Sequence, residues 1–149
     1  GSDQRFDYSV LGDSVNLAAR LEGQSKSYGV KTVIGPETHE SVKDTYATLQ
    51  LDLIAVKGKK EAVTIFTLAG DNEFKESSEF KNLESKHVKI LEYYFNQKWK
   101  NCLNEMKLAK MLCNNLMSEY YEILTERINE YEKNPPSKDW DGVYVATSK

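Results

Sequence analysis

Two groups of residues have types and spacing suited to chemistry on a phosphate ester. Asn16 and Arg20 stand four residues apart in GDSVNLAARLE. On a helix that spacing puts both side chains on one face. The arginine brings a rigid fork of donors that matches phosphate oxygens. The amide can orient a sugar hydroxyl, a ring oxygen or a water. The same spacing also describes the wet side of a packing helix, and the spacing alone does not choose. The second group is Lys57, Lys59 and Lys60, crowded around Gly58. A basic turn of this kind either clamps a polyphosphate by charge or is a solvated loop.

The elements that would position these residues can be read from the pattern. RFDYSVL (5–11) reads as a strand, and Gly12-Asp13 breaks it. Asp13 or Ser14 suits a helix N-cap, with Val15, Leu17, Ala18 and Leu21 as the apolar face. A short strand VKTVIG (30–35) follows, then a helix opened by Pro36 over PETHESVKD. TLQLDLIAV (48–56) and AVTIFTL (62–68) alternate apolar and polar residues around the lysine turn, a β-hairpin pattern. Residues 1–70 therefore read as β-α-β-α-β-β.

After Gly70 the composition changes. Residues 71–84 read as a polar linker, and 85–149 as a helical extension. Three apolar stripes follow. They are Val88, Leu91, Tyr94 and Phe95; then Trp99, Cys102, Leu103 and Met106; then Met117, Tyr120, Tyr121, Leu124, Ile128 and Tyr131. Pro135-Pro136 ends the last helix. The tail with Trp140, Val143, Tyr144 and Val145 is too apolar to hang free, so it is expected to dock on the body. Trp99, Trp140 and the tyrosine pairs are expected in the core.

Bulk properties set the class. The chain of 149 residues is 40% hydrophobic and 29% charged, as a soluble globular protein is. A net charge of −3 offers no electrostatic basis for nucleic acid or an anionic membrane. No apolar run reaches the ~18–20 residues of a membrane span. Cys102 and Cys113 read as buried thiols of a reducing compartment, and the distant His39 and His87 argue against a zinc site. Both histidines are expected at the surface.

FDYSVLGDSVNLAARLE followed by AVKGKKEAVTIFTLAG resembles the C-terminal half of a class III nucleotidyl cyclase catalytic domain, of the bacterial adenylyl cyclase type. The resemblance covers 5–70 and implies a partial ferredoxin-like α+β domain followed by an α-helical hairpin module. It implies that Asn16 and Arg20 stabilise the transition state of cyclisation and that Lys57 binds the triphosphate. Seven residues before Asn16, Ser9 takes the purine-reading position and favours ATP over GTP. The family uses two Mg2+ or Mn2+ ions, held by aspartates of the N-terminal half. No residue here matches a metal ligand, and Asp13 belongs to the strand–helix turn. The family's site forms in a head-to-tail homodimer, which this chain would enter with one wall.

The helices that follow are similar to an extension found after the cyclase domain in some bacterial enzymes. The first two resemble a degenerate tetratricopeptide-like hairpin, which cannot bury its own face alone. The expectation is thus part of an adenylate cyclase on the cytoplasmic side, inactive as an isolated fragment and without direct membrane contact. The alternative is a non-catalytic dimerisation or partner-binding module of a degenerate cyclase. An unrelated small α+β binding domain is the third reading.

Overall fold

The computed structural model describes residues 24–56 and 61–146. The strand at 5–11, the helix bearing Asn16 and Arg20, and the lysine turn at 57–60 lie outside the described residues. Within them the protein is α+β. Helix α1 (Ser25–Tyr28) stops at Gly29, whose φ of +65° is left-handed. A side chain there would also meet Glu119 Cβ at 2.9 Å, so glycine is required both by conformation and by space. The expected strand at 30–35 reduces to one antiparallel bridge, Ile34 with Phe66, because Pro36 starts helix α2 (Pro36–Val42) at once. His39 of α2 is half-buried and stacks on Phe66.

Strands β1 (Ala47–Val56) and β2 (Ala62–Gly70) form the expected hairpin. A third strand, β3 (Tyr144–Ala146), runs parallel to β1 on its other edge, giving the order β2-β1-β3. β1 is therefore central, and it departs from simple alternation. Its register against β2 shifts between Gln50 and Asp52. An extra residue at that point turns the strand over, as a β-bulge does. Leu49 and Leu51 face inward before it, Asp52 and Ile54 after it. Leu53, expected in line with the other leucines, is only half-buried.

The linker expected at 71–84 is helical instead. Helix α3 (Asn72–Glu76) is capped by Asp71, whose carboxylate accepts from the Phe74 amide at 2.9 Å. Helix α4 (Ser78–Phe95) is capped by Ser77, which accepts from the Phe80 amide at 3.1 Å. Phe80 and Leu83 are fully buried. The polar composition of the stretch comes from two caps and a wet helix face. Helix α5 (Trp99–Ala109) returns against α4 as a helical hairpin. A short turn α6 (Leu112–Asn115) follows, with Cys113, Asn114 and Asn115 all left-handed. Helix α7 (Ser118–Lys133) then ends just before the proline pair.

The stripe on α7 is as expected, from Met117 to Tyr131. That on α4 differs: Val88 is 54% exposed, and the inward face is Leu83, His87, Ile90, Leu91 and Tyr94. Cys102 is buried and donates to the Ile90 carbonyl, whereas Cys113 is only half-buried. The tail docks as expected. Trp140 packs among Tyr94, Trp99 and Tyr131, with ring centroids 5.5–6.1 Å apart. Gly142, at φ +88°, passes so close to Phe95 that a Cβ would lie 2.5 Å from its ring.

Sheet residues Leu49, Leu51, Ile54 and Ile65 share one apolar core with α4, α5 and α7. Leu83 belongs to that core, so Leu83→Ala is expected to cost about 2–5 kcal/mol in urea unfolding. A loss below about 0.5 kcal/mol, the size of a surface change, would contradict a folded 71–84 segment.

Candidate functional site

The residues with candidate chemical roles, Ser9, Asn16, Arg20 and Lys57, all lie outside the described residues. Their mutual placement is therefore not part of the description. The neighbouring elements are described. β1 ends at Val56, immediately before Lys57, and the Ala55–Ala62 pair closes the hairpin on the other side of the turn. Tyr28 lies eight residues after Arg20 along the chain.

These neighbours meet at a buried polar centre. Asp52, turned inward by the bulge, is 1% exposed. Its Oδ2 accepts from the Tyr28 hydroxyl at 2.6 Å and from Arg127 Nη1 at 2.7 Å. Its Oδ1 accepts from the Leu53 amide at 2.9 Å. Arg127 also donates to the Tyr94 hydroxyl at 3.0 Å, and its guanidinium lies 3.7 Å over the Tyr144 ring. One carboxylate and one guanidinium thus join α1, β1, α4, α7 and β3.

Burial pushes the Asp52 carboxyl above the ordinary carboxylate range, while Arg127, Tyr28 and the Leu53 amide oppose that rise. Burial alone would lower Arg127, but the charge of Asp52 and the tyrosine hydroxyls outweigh it and hold the proton on. Burial likewise keeps Tyr28 and Tyr94 protonated, Tyr28 as donor to Asp52 and Tyr94 as acceptor from Arg127. Both Asp52 oxygens are occupied by donors from the protein. The centre is built to hold elements together, not to pass protons to a ligand.

A second polar centre sits beside it. His87, expected at the surface, is 2% exposed. One ring nitrogen bonds the Gln50 carbonyl at the bulge, and Nδ1 is 2.7 Å from the Tyr121 hydroxyl. The carbonyl can only accept, so Nε2 carries the hydrogen and the Tyr121 hydroxyl donates to Nδ1. Tyr120 donates to the next carbonyl, Leu51, at 2.6 Å. The carbonyls on either side of the shift are satisfied by side chains of α4 and α7, as buried backbone groups require.

Among the described residues no group of three or more His, Cys, Asp or Glu could hold a metal ion. None of the described helices is long and apolar enough to cross a membrane.

Asp52, His87 and Arg127 were not singled out by pattern. Two signals point to the ion pair. Asp52 is the one acid inside the apolar run LQLDLIAV. Arg127 follows Tyr120 and Leu124 at helical spacing and precedes Tyr131 on the same face.

Comparison with known proteins adds a family likeness to this geometry. The chain is 32% identical over 129 residues, 85% of its length, to "Adenylate cyclase, terminal-differentiation specific" of Dictyostelium discoideum. A stretch that long necessarily runs through both the hairpin and the helices that follow it. It is 33% identical over 70 residues, 47% of the chain, to "Adenylate cyclase 1" of Rhizobium meliloti. It is 36% identical over 69 residues, 44% of the chain, to "Adenylate cyclase" of Anabaena cylindrica. The chain spans 5%, 10% and 14% of the lengths of these relatives. No protein-family model matches it, and no solved structure gives a significant match. By sequence, the chain is an adenylyl-cyclase-like segment. More particularly, the segment resembles part of the catalytic domain of adenylate cyclases.

The buried histidine makes stability depend on pH. Burial lowers the His87 pKa from 6.5 to about 4. The unfolded chain then binds the proton first, so this contribution is complete above about pH 6.5 and is lost as pH falls toward 4. Unfolding free energy should drop by about 3 kcal/mol over that window from this group. His87→Gln keeps a donor and an acceptor but does not titrate, so its unfolding free energy from urea melts should fall less between pH 6.5 and 4, by about 3 kcal/mol, giving a shallower slope. An unchanged slope would place His87 in water.

Proposed function

We propose that the chain is the C-terminal portion of a class III adenylyl cyclase catalytic domain, of partial ferredoxin-like fold, with a helical extension. Its parent converts ATP to cyclic AMP and pyrophosphate on the cytoplasmic side of the cell, as a head-to-tail homodimer. The observation that carries this reading is the 32% identity to an adenylate cyclase over 85% of the chain. The sequence block FDYSVLGDSVNLAARLE with Asn16 and Arg20, followed by Lys57 in AVKGKKEAV, supports the residue assignments.

In this reaction the ribose 3′-oxygen attacks the α-phosphorus. The new 3′-oxygen–phosphorus bond forms as the bond to the β-phosphate oxygen breaks, and the hydroxyl proton is given up. Negative charge grows on the α-phosphate oxygens and on the departing pyrophosphate. Arg20 stabilises the charge on the α-phosphate, and Asn16 orients the ribose. Lys57 holds the triphosphate and takes up charge on the leaving group. Ser9 reads the adenine edge, with a hydroxyl that can donate or accept.

The test is made in the parent enzyme. Arg20→Ala is expected to lower kcat by about 10²–10³-fold with an unchanged Tm, as loss of one transition-state donor does. Lys57→Ala is expected chiefly to raise KM for ATP. The purified 149-residue chain alone is expected to form no cyclic AMP. A kcat for Arg20→Ala within about threefold of the parent, about 0.7 kcal/mol on the barrier, would remove that residue from the reaction.

A further inference from the structure

We infer that Arg127, on the helical extension, is a positioning residue for the triphosphate-binding turn: through Asp52 and Tyr144 it sets where β1 ends. The inference rests on the assignment of Lys57 to the triphosphate.

β1 reaches Lys57 through Ile54, Ala55 and Val56, and these are the residues β3 pairs with. On its other side β1 pairs with β2 as a hairpin, an arrangement of marginal stability when alone. The guanidinium of Arg127 holds both sides of the β1–β3 pair. It bonds Asp52 of β1 at 2.7 Å and lies 3.7 Å over the ring of Tyr144, which stands opposite Ile54 in β3. The same nitrogen, Nη1, also bonds the Tyr94 hydroxyl at 3.0 Å and ties the guanidinium to α4. The end of β1 therefore cannot shift relative to the helices without breaking an ion pair, a ring contact, or both. Asp52 also bonds Tyr28, which lies in the segment leading back to Arg20.

Stability alone does not call for this arrangement. A buried ion pair is often no more stable than apolar residues of similar size, although losing one partner is costly. What a planar guanidinium supplies, with Nη1 shared between Asp52 and Tyr94 and its face on the Tyr144 ring, is a fixed direction. Fixed direction matters for a residue that meets a phosphate, since a misplacement of about 1 Å can cost about a hundredfold in rate.

The experiment compares five forms of the parent enzyme by Tm, by KM and kcat for ATP, and by hydrogen exchange of peptides from the hairpin and from α4–α5. The forms are wild type, Lys57→Ala, Arg127→Met, Arg127→Lys, and the double variant Asp52→Asn with Arg127→Met. Arg127→Met is expected to lower Tm, raise KM at least tenfold and speed exchange at the hairpin end at least tenfold. The double variant removes the orphaned charge, so Tm should recover. KM and hairpin exchange should stay at least tenfold above wild type. Recovery of KM and exchange together with Tm would overturn the inference and leave Arg127 a structural partner only. Arg127→Lys keeps the charge without the planar fork. It is expected to fold, with KM raised three- to tenfold, and wild-type KM and exchange in it would also overturn the inference. If Lys57→Ala leaves KM unchanged, the triphosphate assignment fails. Hairpin exchange then decides alone: acceleration in the double variant upholds the positioning of β1, and wild-type exchange overturns it.

Discussion

The carboxylate of Asp52 is the constraint around which the described structure is arranged. Removing such a charge from water costs several kcal/mol unless an opposite charge and hydrogen bonds replace the lost solvation. Here the replacements come from separate elements: Arg127 from α7, Tyr28 from α1 and the Leu53 amide from β1 itself. Each donor must arrive within hydrogen-bond distance of one group, so α1, β1 and α7 have little freedom to move independently. The cause lies one step upstream. Without the register shift at Gln50–Asp52 the alternation Leu49, Leu51, Leu53 would continue, and Asp52 would face water.

The shift also makes a local demand that the helices meet. A bulge interrupts the ladder, and the Gln50 and Leu51 carbonyls take partners from His87 of α4 and Tyr120 of α7. The bulk of the stabilisation comes from elsewhere, in the apolar core that runs from Leu49 and Ile65 through Ile90 and Met106 to Ile128. Apolar burial is tolerant of rotation and sliding. The polar contacts at the bulge are not, and they select one arrangement among the packings the core would accept. The same division holds at the tail, where tilted and edge-on aromatic rings supply area and the Arg127–Tyr144 contact supplies direction.

Elements with a strong period were legible in the sequence. The hairpin, the α7 stripe and the docked tail follow from alternation, 3.6-residue spacing and the apolar content of Trp140 to Val145. Three features were not legible, for separate reasons. The helical character of 71–84 was hidden because Asp71, Ser77 and the exposed face between them give a linker-like composition. The bulge has no composition signal of its own, and so the inward turn of Asp52 could not be read from LQLDLIAV. His87 looked like a surface residue because nothing local shows that two partners 34 and 37 positions away close on its ring. For the candidate site the period was of no help: spacing alone left Asn16, Arg20 and Lys57 open to a solvated reading, and the family resemblance singles them out.

That distribution bears on whether the helices are an accessory. Two bacterial relatives match over about half of the chain, whereas the Dictyostelium match runs through the hairpin and the helices together. Likeness to adenylate cyclases is thus found in matches of about half the chain as well as in one that includes the extension. In this chain, however, the carboxylate in the middle of β1 has its counter-charge on α7, and the bulge carbonyls have their donors on α4 and α7. Removing the helices would leave a buried acid facing solvent and would open one side of the strand that leads to Lys57. The hairpin and the helices thus share one apolar core and one buried ion pair, and the end of β1 is held by residues from both.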